Sequence, residues 1–255
     1  MLKKKGDFMT LRNRLIQLSY ETDGDYLQMY RRIKQDPTLT AYHAKQAVVL
    51  TNVVTILDEN YPAVFKQLQY PPLVLYYEGD FSLLNRPTLG IIGSLKPTEL
   101  AVSETRQFLD KVDSSYALVS LVEQGISFVS FECFRKRGAI IGVMASGLER
   151  KGLWEVSSLF RQNTYSTCLV SEYPKTVQPT FNRKRERLRL MLALSEQVIC
   201  IEPRCDELAM PYLLQETKPL YVMPRRLGDE ASRGTFLLLE QGAFCLPSFQ
   251  WFSEK

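Results

Sequence analysis

The chain has 255 residues, of which 45% are hydrophobic and 24% charged, and its formal net charge is +4. These values are ordinary for a soluble globular protein, and the length allows one large core or a large core with a small one. No apolar run approaches the length of a transmembrane helix, and the first residues lack the apolar region of a signal peptide, so we expect a cytoplasmic protein.

Cysteine and histidine usage limits the chemistry that the chain can perform. Five cysteines are present without any CxxC pair, and His43 is the only histidine. A zinc site and histidine-based acid–base catalysis are therefore not expected, and we predict neither a metal nor a cofactor.

The first third of the chain is predicted to be helical and then irregular. Apolar residues from position 9 to about 58 recur three and four apart, which predicts helices interrupted at Pro37 and a small helical N-terminal domain over 1–58. Residues 59–88 are rich in proline and aromatic side chains. We predict a connector packed on the core, with a short extended piece at 73–77.

From Thr88 onward, short apolar runs alternate with helical stretches. Continuous apolar strands are typical of a parallel sheet covered on both faces, and their alternation with helices predicts a doubly wound, mostly parallel α/β fold over 89–255. The predicted strands are 89–93, 126–130, 139–144, 167–170, 198–201 and 220–223. The predicted helices are 98–110, 114–124, 153–162, 182–194, 206–215 and 234–241.

The helix predicted at 182–194 begins with the wrong charge. Asn182 is the expected cap, and the first turn holds Arg183, Lys184 and Arg185. Exposed cations at a helix N-terminus cost about 0.3–1 kcal/mol each, and a bound phosphate would reverse the sign of that effect. The alternative is that Lys and Arg are present as good helix formers whose solvated charge is tolerated.

Basic residues also predominate in the segments expected to follow the strands. Doubly wound sheets bind ligands beyond the carboxyl ends of their strands, so a basic excess at this edge suggests a polyanionic ligand. Ordinary loop charge, the alternative, predicts segments of mixed sign.

No catalytic site is predicted. Gly93-Ser94 and Ser146-Gly147 each resemble half of a phosphate-binding turn, but neither GxGxxG nor GxxxxGK[ST] occurs. Glu172 is a possible general base, although a carboxylate at a strand end more often pairs with neighbouring backbone or arginine. We therefore expect a protein that is not an enzyme.

Several segments, in order, resemble the DNA processing protein A family (DprA or Smf), over roughly residues 60 to 246. They are YP at 61–62, PPLVLYY at 71–77, IIGS at 91–94, LVSEYP at 169–174, SRGT at 232–235 and EQGA at 240–243. The resemblance implies an extended Rossmann-like core that binds single-stranded DNA and forms a homodimer. It also implies a role in natural transformation, in which incoming DNA is protected and RecA recombinase is loaded on it.

The sequence departs from the family pattern on the ligand side. Leu95 replaces an arginine after glycine-serine, and Asp206-Glu207 replace a serine-glycine after the fifth strand. After the strand predicted at 126–130, residues 131–138 are too few for a crossover helix, so the family's SG-x-A-x-G-I-D turn and the helix that follows it are lost.

The family's F-P-x-R-N-R motif is only loosely present. Phe181 fits its first position, and either Arg183 with Arg185 or Arg187 with Arg189 matches its arginines.

A mediator that binds single-stranded DNA is the function we favour. The predicted DNA-binding residues are Ser94, Lys96, Arg135, Lys136, Arg137, Lys175, Arg183, Lys184, Arg185 and Arg187, where the three basic residues at 135–137 replace the lost turn. Phe131 and Phe181 are candidates for stacking on bases, with burial as the alternative. Phe236 and Leu239, in an apolar stretch at 235–239, are predicted to form the dimer interface.

Two other functions remain open. The first is a dimeric scaffold of the same family whose DNA binding is weak or lost. The second is a nucleotide-cleaving Rossmann hydrolase, whose PGGxGT signature is absent.

Overall fold

The computed structural model describes residues 5–36, 52–149, 166–224 and 228–246, with side chains from residue 11 onward. Its strands are β1 Val53–Thr55, β2 Val74–Gly79, β3 Thr88–Gly93, β4 Ala117–Leu121, β5 Ala139–Val143, β6 Thr167–Ser171, β7 Gln197–Ile201, β8 Leu220–Val222 and β9 Phe244–Cys245. Its α-helices are α1 Lys5–Glu21, α2 Tyr26–Gln35, α3 Glu99–Leu109, α4 Ile126–Phe134, α5 Phe181–Leu194, α6 Met210–Leu213 and α7 Arg233–Glu240.

All strands of the described ranges belong to one sheet, in the order β1-β2-β6-β5-β4-β3-β7-β8-β9. β3 to β9 pair in parallel, whereas β1 pairs antiparallel with β2, and β2 with β6. The chain therefore winds outward from β3 in both directions, which confirms the predicted doubly wound α/β fold.

Helices cover both faces of this sheet. Leu15, Phe108 and Phe131, from α1, α3 and α4, are buried in a core on one face. Met191 and Leu238, from α5 and α7, are buried in a second core on the other face. Burial on both faces is the reason that the strands read as continuous apolar runs.

The secondary structure of two neighbouring segments is the reverse of the prediction: one is a strand instead of a helix, and the other is a helix instead of a strand. The segment 114–124, expected to be helical, contains strand β4, which pairs residue by residue with β5 from Ala117 opposite Ala139. The segment 126–130, expected to be a strand, lies in α4. Both predictions were wrong because a short apolar run has no decisive periodicity, and the pairing of β4 between β3 and β5 decides the matter.

The crossover helix judged missing is therefore present, and it is α4. It begins after Gly125, whose φ of 76° places it in the left-handed region where glycine is favoured. Gly125-Ile126 matches the glycine-isoleucine of the family's SG-x-A-x-G-I-D pattern, but no serine-glycine pair precedes it, so the loss of the complete turn stays a prediction.

Other predictions differ in extent. The helix expected at 206–215 is reduced to Met210–Leu213, and the end of the first helical region contains β1 instead. The helix expected at 153–162 lies outside the described residues. The division at residues 58 and 88 stays a prediction, but the sheet runs across both boundaries because β1 precedes the first and β2 precedes the second. The extended piece expected at 73–77 is confirmed as β2.

The N-terminal helices pack against the sheet domain through aromatic contacts. The guanidinium of Arg189 in α5 lies 4.1 Å from the ring centre of Tyr26 in α2. The hydroxyl of Tyr30 donates to the carbonyl oxygen of Pro71 at 3.0 Å. These contacts hold α2 beside the segment that precedes β2.

Candidate nucleic-acid interface

The loops that follow the parallel strands meet at the carboxyl edge of the sheet. The loop after β5 is tied to the loop after β6, because the amide of Gly147 donates to the carbonyl of Val177 at 2.9 Å. The loop after β3 is tied to the start of α4, because Ile126 N donates to Ser94 O at 3.0 Å. Helix α5 starts at the same edge, since it follows β6.

The first turn of α5 is cationic and carries no acidic residue. Its cap is Thr180, whose hydroxyl accepts a hydrogen bond from Arg183 N at 3.3 Å, so the predicted cap Asn182 was wrong. Lys184 and Arg185 are exposed and form no ion pair within the described residues. The positive end of the helix therefore faces solvent beside two cations that are not paired.

An aromatic side chain accompanies this cationic turn. Phe181, the first residue of α5, is 65% exposed, whereas Phe131 is completely buried under the sheet. Of the two candidates for stacking on bases, only Phe181 has a free face.

Arg183 is partly engaged within the protein. It donates to the carbonyl of Gln178 at 2.8 Å and lies 5.3 Å from the ring centre of Tyr173. Its guanidinium is also 3.9 Å from the carboxylate of Asp23, which is largely exposed. Arg183 is thus held in position at the edge, and its charge is less available to a ligand than those of Lys184 and Arg185, which are exposed.

The structure separates the two pairs of arginines that sequence reasoning left as alternatives. Arg187 is 2% exposed, pairs with Glu123 and donates to the carbonyl of Val122 at 3.1 Å. Arg189 pairs with Glu172 and donates to the carbonyl of Tyr70 at 3.0 Å. These two arginines point inward and hold the fold together, so Arg187 does not present its charge to a ligand.

Glu172 belongs to this internal network. It is 3% exposed, and burial raises its pKa although the Arg189 guanidinium opposes that rise. Its partner Arg189 is also packed on Tyr26. Glu172 therefore links β6 to α5 and, through Arg189, to α2, and its burial keeps the carboxylate from solvent.

Ser94 is buried and its hydroxyl is already engaged. It donates to the Glu207 carboxylate at 3.3 Å and accepts from Lys96 N at 3.1 Å. The same Glu207 oxygen accepts from Leu95 N at 2.7 Å. The loop after β3 thus holds a carboxylate of the protein where sequence reasoning expected a ligand.

Lys96 and Lys175 are both exposed at the carboxyl edge. Lys175 forms an ion pair with Glu149 at 3.0 Å, and the hydrogen bond that it donates to Glu149 raises the pKa of this lysine. Lys96 forms no ion pair within the described ranges. Lys96 is consequently the freer of the two charges.

Arg135, Lys136 and Arg137 lie at the opposite edge of the sheet. They follow the C-terminal end of α4, which runs from the end of β4 back to the start of β5. Arg137 donates to the carbonyl of Leu109, at the end of α3, at 3.1 Å. Cations are favourable at helix C-termini, so these residues have a structural reason for their position, and their predicted place at the carboxyl edge of the sheet was wrong.

The predicted dimer residues differ in their surroundings. Leu239 is partly buried and packs against the core under α7, as does Leu237. Phe236 is half-buried and is not among the side chains packed on that core within the described residues. Both side chains are partly buried, and of the two only Leu239 has an identified place against that core within the described residues.

The fold and the α5 turn together define a Rossmann-like α/β protein that carries exposed cations at the carboxyl edge of its sheet. The chain belongs to the DNA recombination-mediator protein A family, whose model matches residues 52–255. No helix of the described residues is long and apolar enough to span a membrane.

Individual relatives agree with this assignment. The chain is 27% identical to the DNA processing protein DprA of Bacillus subtilis over 213 residues, which cover 81% of this chain and 71% of that protein. It is 28% identical to the protein Smf of Synechocystis and covers 49% of it, so it spans about half the length of that relative.

Solved structures share the fold. DprA from Streptococcus pneumoniae superposes with a TM-score of 0.71 at 19% identity, over 96% of this chain and 93% of that one. DNA processing protein A from Helicobacter pylori superposes with a TM-score of 0.70 at 28% identity, over 79% of this chain and 94% of that one. That structure was reported for the way in which the Helicobacter protein binds single-stranded DNA.

Proposed function

We propose that this chain is a recombination mediator that binds single-stranded DNA at the carboxyl edge of its sheet. The observation that carries the proposal is the first turn of α5, with exposed Lys184 and Arg185, no acidic residue and an exposed Phe181. Family membership supports a role in DNA recombination, and the Helicobacter relative is described as binding single-stranded DNA.

Phosphate is the ligand that this helix start favours. The helix dipole attracts an anion, and exposed Lys184 and Arg185 add two full charges at the same end. Arg183, held by Gln178, extends the positive surface toward the loop after β6. Lys96 and Lys175 lie at the same edge and provide flanking contacts to a strand that passes the helix.

Single strands are favoured over duplex DNA because of Phe181. Bases stack on an exposed aromatic face only when they are not already stacked in a duplex, and such stacking tolerates any sequence. The combination of phosphate contacts and one aromatic platform therefore predicts binding without sequence preference.

The proposed partners beyond DNA are a second copy of the chain and RecA recombinase. Phe236 on α7 is the residue that we place at the centre of the homodimer contact, since among the described residues its ring is not one of those packed on the core beneath α7. The RecA partnership follows from the family resemblance, in which the mediator delivers the bound strand to the recombinase.

Binding of fluorescent oligothymidine, measured by anisotropy at several salt concentrations, tests the proposal. Lys184→Ala with Arg185→Ala should weaken binding and flatten the slope of log affinity against log salt by about 1.4, since each phosphate neutralised contributes about 0.7. The matched control is Lys136→Ala with Arg137→Ala, which removes the same charge at the opposite edge and should leave the slope unchanged. Equal effects of the two double variants would place the DNA elsewhere.

A second function, a dimeric scaffold with weak DNA binding, is favoured by one observation. Glu207 fills the loop after β3 with a negative charge, next to the positions where a phosphate would have to enter. A dimer that binds oligothymidine no better than the nonspecific level of about 10⁻⁴ M at physiological salt would establish the scaffold in place of the mediator.

A further inference from the structure

Every backbone amide in the loop between β3 and α3 has an acceptor within the protein. Leu95 N donates to Glu207 at 2.7 Å, Lys96 N donates to the Ser94 hydroxyl at 3.1 Å, and Thr98 N donates to Glu202 at 3.1 Å. Pro97 has no amide hydrogen. A loop after a parallel strand can offer such amides to a ligand, but here two glutamates from the chain after β7 receive those of Leu95 and Thr98.

The Glu207 carboxylate occupies the place that an anion would take. It accepts from two donors at once, Leu95 N and the Ser94 hydroxyl, in the way that a phosphate oxygen would. The loop cannot accept both anions, because there is one amide and one hydroxyl for them to share.

The backbone of the turn before α4 is packed against these donors. A side-chain carbon placed on Gly125 would come within 2.2 Å of Ser94 O and 2.6 Å of the Leu95 Cα, so the turn before α4 is packed directly against the loop. Glu123, in that same turn, adds another carboxylate, and its charge contributes to the raised pKa of Glu207. An incoming phosphate therefore meets the Glu207 carboxylate before it meets a donor.

We propose that Glu207 is a specificity-determining residue, an internal carboxylate that keeps DNA phosphates out of the loop after β3 and confines them to the start of α5. This inference rests on the proposed function, and it makes that function more specific. It removes Ser94 from the predicted contact residues and leaves the α5 turn as the principal phosphate site.

Two glycine variants test the inference. Glu207→Gly removes the carboxylate and leaves the Leu95 amide open, whereas Asp206→Gly removes an equal charge from the adjacent, 76% exposed side chain that pairs with Arg204. We expect Glu207→Gly to bind oligothymidine at least tenfold more tightly than wild type and Asp206→Gly to change affinity less than threefold. Equal affinities of the two variants would overturn the inference.

A direct readout separates this inference from the proposed function. The amide resonance of Leu95 is followed by heteronuclear NMR during titration with inorganic phosphate, which requires no DNA binding. The resonance should shift in Glu207→Gly and stay unchanged in wild type and Asp206→Gly. A Leu95 amide that does not respond in Glu207→Gly overturns the inference, whereas wild type that fails to bind oligothymidine overturns the proposed function alone.

Discussion

Arg187 and Glu123 form an ion pair that joins α5 to the turn after β4. The Arg187 side chain is 2% exposed, and its guanidinium also donates to the carbonyl of Val122 at 3.1 Å. Burial lowers the pKa of Arg187, while the Glu123 carboxylate opposes that change. Arg187, which the sequence groups with the other basic residues at the start of α5, therefore lies in the interior. Its ion pair fixes the helix that carries the exposed Lys184 and Arg185.

Replacing this arginine should destabilise the protein. Arg187→Ala leaves Glu123 and the carbonyl of Val122 without their donor, and breaking a buried pair in this way costs about 3 kcal/mol of unfolding free energy. Urea denaturation measures the difference. Lys184→Ala, in the same helix but exposed, should change the stability by less than about 0.5 kcal/mol. Equal stabilities of the two variants would contradict the structural role of Arg187.

Phe181 should contribute to DNA affinity without affecting the salt dependence. A stacked base is worth about 1–3 kcal/mol, so Phe181→Ala should weaken oligothymidine binding about tenfold or more. Its slope of log affinity against log salt should equal that of wild type because no phosphate contact is lost. Phe181→Trp should restore the affinity, and the melting temperatures should agree because the ring is exposed. If the alanine variant binds as tightly as wild type, the bases do not stack here.

The homodimer should depend on Phe236. Phe236→Asp places a charge in the proposed contact and should give monomers in sedimentation equilibrium. Leu100→Asp, which makes the same kind of change at a 55% exposed position on α3, should leave the dimer intact. Leu239→Asp should instead lower the melting temperature, because Leu239 packs on the core. A wild-type monomer, or a Phe236→Asp dimer, would contradict this assignment.

Glu207 should give the protein a distinctive pH dependence. Burial raises its pKa, and the charges of Glu123 and Asp206 act in the same direction, while the bonds from Leu95 and Ser94 oppose them. The folded state therefore takes up this proton at a higher pH than the unfolded chain does. Acidification through the raised pKa should stabilise wild type relative to Glu207→Gln, which has no proton to bind.

Denaturant melts of both proteins from neutral pH down to the ordinary range of glutamate measure this difference. Parallel stability curves over the whole range would show that Glu207 titrates like an exposed carboxyl. Asp206→Asn serves as the control for loss of one charge at a 76% exposed position, and it should keep the gain in stability on acidification that Glu207→Gln lacks, because Glu207 is still present.

The sequence predicted most of the sheet because buried parallel strands leave a strong signal. The runs at 89–93, 139–144, 198–201 and 220–223 are confirmed as β3, β5, β7 and β8. Their apolar residues occupy both faces of the sheet, and few other arrangements accommodate such runs. The cationic turn at the start of α5 was also recognised, since charge at a helix end is a local property of the chain.

Tertiary structure alone decided the assignments on either side of Gly125. The runs at 117–121 and 126–134 are both short and apolar, and only strand pairing with β3 and β5 selects the first as strand. Because 126–134 is a helix that runs back to the start of β5, Arg135, Lys136 and Arg137 lie at the opposite edge of the sheet from the one predicted. The sequence likewise did not show which cations face solvent. Arg187 and Arg189 are turned inward by Glu123 and Glu172, which lie 64 and 17 residues away along the chain. Sequence determined that this chain carries charge at a helix start, and long-range packing determined which of those charges remain free to bind.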